Sequence, residues 1–122
     1  THQVHVYDIA GNEIGLISQR LFAFLPTFDI SVGGRPCGSI RKEFTFFKPS
    51  YSIEYGGWQC DGDFLSWNYS VTAGSRLVAN IAKQLLSWGD TYTLDISDPG
   101  DEIMALMLVI AIDAANCSQN NN

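Results

Sequence analysis

The sequence predicts a mostly β domain, an α+β fold of antiparallel hairpins closed by a single apolar helix. Three observations carry this reading. A strand–turn–strand pattern recurs along the chain, glycine-based turn signals separate the copies, and the run from Ile103 to Ile112 contains no polar residue.

The repeat is the most informative of the three. Gly15-Leu16-Ile17-Ser18-Gln19-Arg20-Leu21 leads to Phe24 and then Thr27-Phe28-Asp29-Ile30. Gly38-Ser39-Ile40-Arg41-Lys42-Glu43-Phe44 leads to Phe47 and then Ser50-Tyr51-Ser52-Ile53. Ala79-Asn80-Ile81-Ala82-Lys83-Gln84-Leu85 leads to Trp88 and then Thr91-Tyr92-Thr93-Leu94, and a looser copy ends in Trp67-Asn68-Tyr69-Ser70-Val71. Alternation of apolar and polar residues, rich in β-branched and aromatic side chains, is the signature of strands with one buried face. Gly11-Asn12, Gly33-Gly34, Gly56-Gly57 and Ala73-Gly74-Ser75 supply the turns between them. Pro26 and Pro49 fall at matching places and are assigned to connections, where the missing N–H costs no ladder bond. The sum is a meander of about nine strands from Val4 to Ile96.

After Ile96 the period changes. Asp98 is placed to cap a helix, Pro99 suits its first position, and Asp101 and Glu102 suit the positive end of its dipole. A helix with no polar face must be buried on all sides. The apolar run is shorter than the about 20 residues that span a bilayer. An antiparallel sheet curled around the helix as a barrel buries it most economically and hides the strand edges.

The bulk properties narrow the function. A chain of 122 residues, 46% hydrophobic and 16% charged, is one globular domain, assigned to residues 1–117 with a polar tail at 118–122. A net charge of −6 argues against general nucleic-acid binding, which needs a positive field. Cys37, Cys60 and Cys117 are far apart and form no CxxC pair, so they read as buried thiols in a reducing compartment. No secretory leader is visible, and the expected location is cytoplasmic, with room for association with a membrane.

Leu21-Phe22-Ala23-Phe24-Leu25-Pro26-Thr27-Phe28, Lys42-Glu43-Phe44-Thr45-Phe46-Phe47-Lys48-Pro49, Gly62-Asp63-Phe64 and Ser87-Trp88-Gly89-Asp90-Thr91-Tyr92 resemble the LURP-one-related branch of the tubby-like family. So does the apolar helix closing on Ile112-Asp113-Ala114. The resemblance covers essentially the whole chain. It implies a tubby-like antiparallel β-barrel of twelve strands around a central C-terminal helix. About nine strands are present here, and the others would lie before Thr1. Incomplete walls would leave open strand edges and favour a homodimer. Related branches include phosphoinositide-binding tubby proteins and the phospholipid scramblases. The resemblance therefore implies a non-enzymatic module that binds a phospholipid or phosphoinositide headgroup at a membrane surface. The alternative is a protein-interaction or structural module with no lipid ligand.

Lys42 and Lys83, with Gln19, occupy one slot in three copies. Parity puts them on the face of Ile40 and Phe44, or of Ile81 and Leu85, pointing to one barrel mouth where long side chains can snorkel to water. With Arg41 and Lys48 they form the candidate basic rim for an anionic headgroup. The plainer reading is a set of solvated charges at the barrel end.

No catalytic residue, metal ligand or cofactor loop is identified. Cys60-Asp61-Gly62-Asp63 lacks a nearby cation to activate the thiol, since the histidines are His2 and His5. Asp98, Asp101 and Glu102 lack EF-hand spacing. Asp113 ends the apolar run and is expected to hydrogen-bond to the barrel floor. Trp58, Trp67 and Trp88 read as core and rim packing.

Overall fold

The computed structural model describes residues 2–45, 48–64 and 67–120, with the side chains of 45, 48 and 117–120 left out. Nine strands precede a helix: β1 Gln3–Tyr7, β2 Glu13–Gln19, β3 Thr27–Val32, β4 Arg35–Thr45, β5 Lys48–Glu54, β6 Trp58–Asp63, β7 Asn68–Ala73, β8 Arg76–Leu86 and β9 Gly89–Ile96. A 3-10 turn at Pro99–Asp101 leads into α1, Glu102–Asn120.

Every ladder is antiparallel and joins neighbours in sequence. β1 to β5 make a five-stranded sheet and β6 to β9 a four-stranded one. The expected meander is therefore present as two sheets, and no ladder among the described residues closes them into a single barrel. β3–β4–β5 and β7–β8–β9 are one motif used twice. The constant offset is that from Lys42 to Lys83, and even the bulges coincide, at Ile30/Ser31 and at Val71/Thr72.

Alternation decides what faces inward. Phe28 and Ile30 on β3, Ile40 on β4, Tyr69 and Val71 on β7 and Ile81 on β8 share one buried core with Met104, Met107, Leu108, Val109, Ala111 and Ile112 of α1. Each fully buried large side chain contributes about 1.5–3 kcal/mol. The two motifs also differ at a matched position. A Cβ on Gly38 would collide with the carbonyl oxygen of Glu54, whereas the equivalent Ala79 accommodates its methyl group fully buried.

Three sequence expectations need correction. Pro49 lies inside β5, paired with Phe44, and not in a connection; among the described residues β5 has only one ladder neighbour, β4, and an edge strand tolerates a missing donor. The helix is not buried all round. Ile103 is 46% and Leu106 36% exposed, and Ile110 is half-buried. Ile103 and Leu106 lie about one turn apart and are exposed, while Ile110 packs partly against the core. The helix also runs beyond Ile112 to Asn120, through residues expected as a tail. The start matches: the Asp98 side chain accepts the Gly100 N–H at 3.0 Å with Pro99 following, and Asp101 accepts Arg76 at 2.8 Å.

Candidate functional site

Lys42 and Tyr51 face each other across β4 and β5, and Lys83 and Tyr92 across β8 and β9. Both pairs close on the last turns of α1. Lys42 Nζ donates to Asn116 Oδ1 at 2.9 Å, and the Tyr51 hydroxyl donates to the same oxygen. Tyr92 donates its hydroxyl to Asp113 Oδ1 at 2.7 Å, and Lys83 Nζ lies 3.6 Å from that atom and 3.4 Å from Asp90. Asp113 and Asn116, three residues apart on a helix, lie on adjoining positions of one face. The C-terminal end of the helix also carries the partial negative charge that favours cations.

These contacts change the basic rim expected from the sequence. Lys42 is only 6% exposed, and its burial lowers its pKa. The Lys83 side chain is 10% exposed and lies 4.2 Å from the Trp67 ring and 5.3 Å from that of Tyr92. Arg41, one residue out of phase, points outward and pairs with Glu43 at 2.8 Å. The side chain of Lys48 lies outside the described residues, as do Phe47 and the side chain of Cys117. The structure thus brings Lys42 and Lys83 together around the helix end and sends Arg41 to the opposite face. Asn116 and Tyr51 were missed because they become partners only through the fold. The recurrence of Lys and Tyr at one offset was the available signal.

The lysine latches fix the direction of the molecule. They show that the β4–β5 and β8–β9 connections both lie at the end where α1 terminates. Antiparallel succession puts the β2–β3 and β6–β7 connections there too. This end carries a crown of exposed apolar side chains. Leu21, Phe22 and Phe24 lie between β2 and β3. Phe44 and Leu85, equivalent in the repeat, lie at the ends of β4 and β8, and Trp88 follows Leu85. Trp88 is 83% exposed, a position on the rim and not in the core. Trp58 is buried, and Trp67 stacks edge-on with Tyr92.

Phe22 and Trp67 share a left-handed backbone, at φ 61° and 59°, which costs L residues about 1–2 kcal/mol. Trp67 is compensated by Lys83, Tyr92 and the core. Phe22 is fully exposed.

The remaining polar and thiol groups are scattered over the molecule. Cys60 is partly buried and free, and burial pushes its thiol up to about 12. The Tyr69 hydroxyl is buried without a hydrogen-bond partner. Among the described residues no His, Cys, Asp and Glu group of three or more could hold a metal ion. A shallow groove of about 420 Å³ is lined by Asp61, Asn68, Ser70, Asn80, Thr93 and Asp95. Asn68, Ser70 and Asn80 alternate with the core side chains of Tyr69, Val71 and Ile81 along β7 and β8, so the groove lies on the outer face of the second sheet. Among the described residues no helix is long and apolar enough to cross a membrane.

Such a chain is a hairpin-repeat domain wound on its own C-terminal helix, with paired side-chain latches at the helix end. It belongs to the LURP-one-related family, whose model matches residues 1–113. It is 33% identical over 106 residues to the uncharacterized protein YxjI of Bacillus subtilis strain 168, a match covering 87% of this chain. The chain spans 65% of that relative's length. No solved structure gives a significant match.

Proposed function

We propose that this chain is a non-catalytic module that contacts a membrane lipid surface with the end at which α1 terminates. The crown of Leu21, Phe22, Phe24, Phe44, Leu85 and Trp88 carries the reading. Exposed large apolar side chains gathered at one end mark an interaction surface, and aromatic tips suit the boundary between headgroups and acyl chains. Lys42 and Lys83, engaged by Asn116 and Asp113, serve to seat the helix and do not grip a headgroup. The two sheets are read as parts of a tubby-like barrel wall around α1.

Co-sedimentation with vesicles of mixed zwitterionic and anionic phospholipid tests this. The wild type should pellet with lipid, and a Phe24→Ser, Leu85→Ser variant of unchanged circular dichroism should remain in solution. Equal partition of the two proteins would refute the crown as the contact.

A second reading has its own observation. Among the described residues, β1 and β9 each have one ladder partner, and Ile103 and Leu106 are exposed. These open features favour a protein contact, including a homodimer. Sedimentation equilibrium over a hundredfold concentration range decides: a constant monomer mass removes the dimer.

A further inference from the structure

Charge at the crown end says which lipid surface it suits. Arg20 is held by Asp29 at 2.6 Å, Arg41 by Glu43 at 2.8 Å and Lys83 by Asp90 at 3.4 Å. Lys42 is buried on Asn116. The described cations at this end are therefore matched by acidic groups or withdrawn from water. They offer no positive field to an anionic leaflet, and the whole chain carries −6. Attraction to anionic lipid depends on juxtaposed basic residues and is screened within a Debye length. Among the described residues, what remains at the tips is apolar area, whose transfer is insensitive to headgroup charge.

Phe22 sharpens this. Left-handed backbone is best served by glycine or asparagine. A fully exposed phenylalanine there gains nothing inside the fold, unlike Trp67, which packs. Residues held in sparsely populated backbone regions without local compensation point to a role outside the fold.

Resting on the membrane reading above, we infer that the crown docks on an uncharged, zwitterionic lipid interface, with Phe22 as its leading anchor. Leu21, Phe24 and Trp88 enter beside it, and Phe44 and Leu85 rim the mouth. Binding is driven by apolar burial, so it survives physiological salt and weakens as anionic lipid is added.

The test uses vesicles of pure phosphatidylcholine and vesicles containing phosphatidylserine, at low and physiological salt, with wild type and Phe22→Asn. Tryptophan emission gives a second readout, because Trp88 is exposed while Trp58 is buried. The expected result is binding to phosphatidylcholine at both salt levels, a blue shift, and about tenfold weaker binding by Phe22→Asn, whose thermal midpoint is unchanged or higher. Binding only to phosphatidylserine vesicles, lost at physiological salt, would overturn the uncharged-surface inference while leaving membrane contact standing. Unchanged affinity of Phe22→Asn would remove the anchor. Absence of binding to either vesicle would overturn the membrane reading itself.

Discussion

The β4–β5 and β8–β9 hairpins offer the same Lys–Tyr pair to the same helix but hold it in different electrical states. Lys42 and Tyr51 are both buried and share a neutral amide oxygen on Asn116. Lys83 and Tyr92 meet a carboxylate, Asp113, at a wetter place where Asp90 adds a second negative charge. The first latch must hold an ammonium ion out of water with one amide, and its pKa falls. The second has opposite charges and two aromatic faces around its cation. One repeat therefore yields a latch that is costly to break and another that water can partly replace.

Removing the acceptors should expose this asymmetry most strongly. Asn116→Ala leaves a buried ammonium and a buried hydroxyl unpaired, and is expected to cost about 3 kcal/mol. Asp113→Ala leaves Lys83 with Asp90 and some water, and should cost about 1 kcal/mol. Urea unfolding of both variants measures the difference; equal costs would mean that burial does not separate the two hairpins.

Gly38 and Ala79 give the next largest effect. Gly38→Ala forces a methyl group onto the Glu54 carbonyl and is expected to cost about 2 kcal/mol. Ala79→Gly should cost about 1 kcal/mol through chain entropy and lost packing. If both substitutions are neutral in thermal unfolding, the two strand pairs approach equally closely.

A smaller effect is expected from alkaline pH. The fold retains the Cys60 proton up to about 12, whereas an unfolded thiol releases it near 9. The fold's raised pKa gives a contribution that is complete below about pH 9 and declines as pH rises toward 12. Lys42 works in the opposite sense. Its depressed pKa penalises the fold at neutral pH, and that penalty is relieved as pH rises toward 10.5. Cys60→Val should therefore gain stability relative to wild type between pH 9 and 10.5, while Lys42→Met should show the reverse trend. Parallel profiles for all three proteins would contradict both assignments. Arg41→Ala should give no measurable change in unfolding midpoint, since its pair with Glu43 is exposed.

The hairpins were legible because side-chain alternation and turn glycines are local properties. Ile17, Ile40 and Ile81 recur in matching slots, and each is buried. The Asp98 cap was legible for the same reason. Parity also placed Lys42 and Lys83 on the inner face, but parity carries no information about depth. Whether an inward lysine reaches solvent depends on where the helix ends, and Asn116 is 74 residues from Lys42. The apolar crown was hidden because Phe24 and Trp88 look in sequence like the aromatic residues that pack inside strands. Only the positions of the connections show that they project. The split into two sheets depends on how β5 approaches β6, which no local pattern encodes.

The helix that fills the core follows the nine described strands in sequence. During synthesis, at about 5–20 residues per second, the hairpins leave the ribosome before the element that covers their apolar faces. Phe28, Ile30 and Ile40 must then wait for Met107, Leu108 and Ile112. A stop codon upstream of Glu102 would release strands with no centre to close on, so chains ending there should be disproportionately insoluble. Burial of the apolar strand faces thus depends on an element made after the hairpins, when one helix turns a set of exposed strands into a covered core.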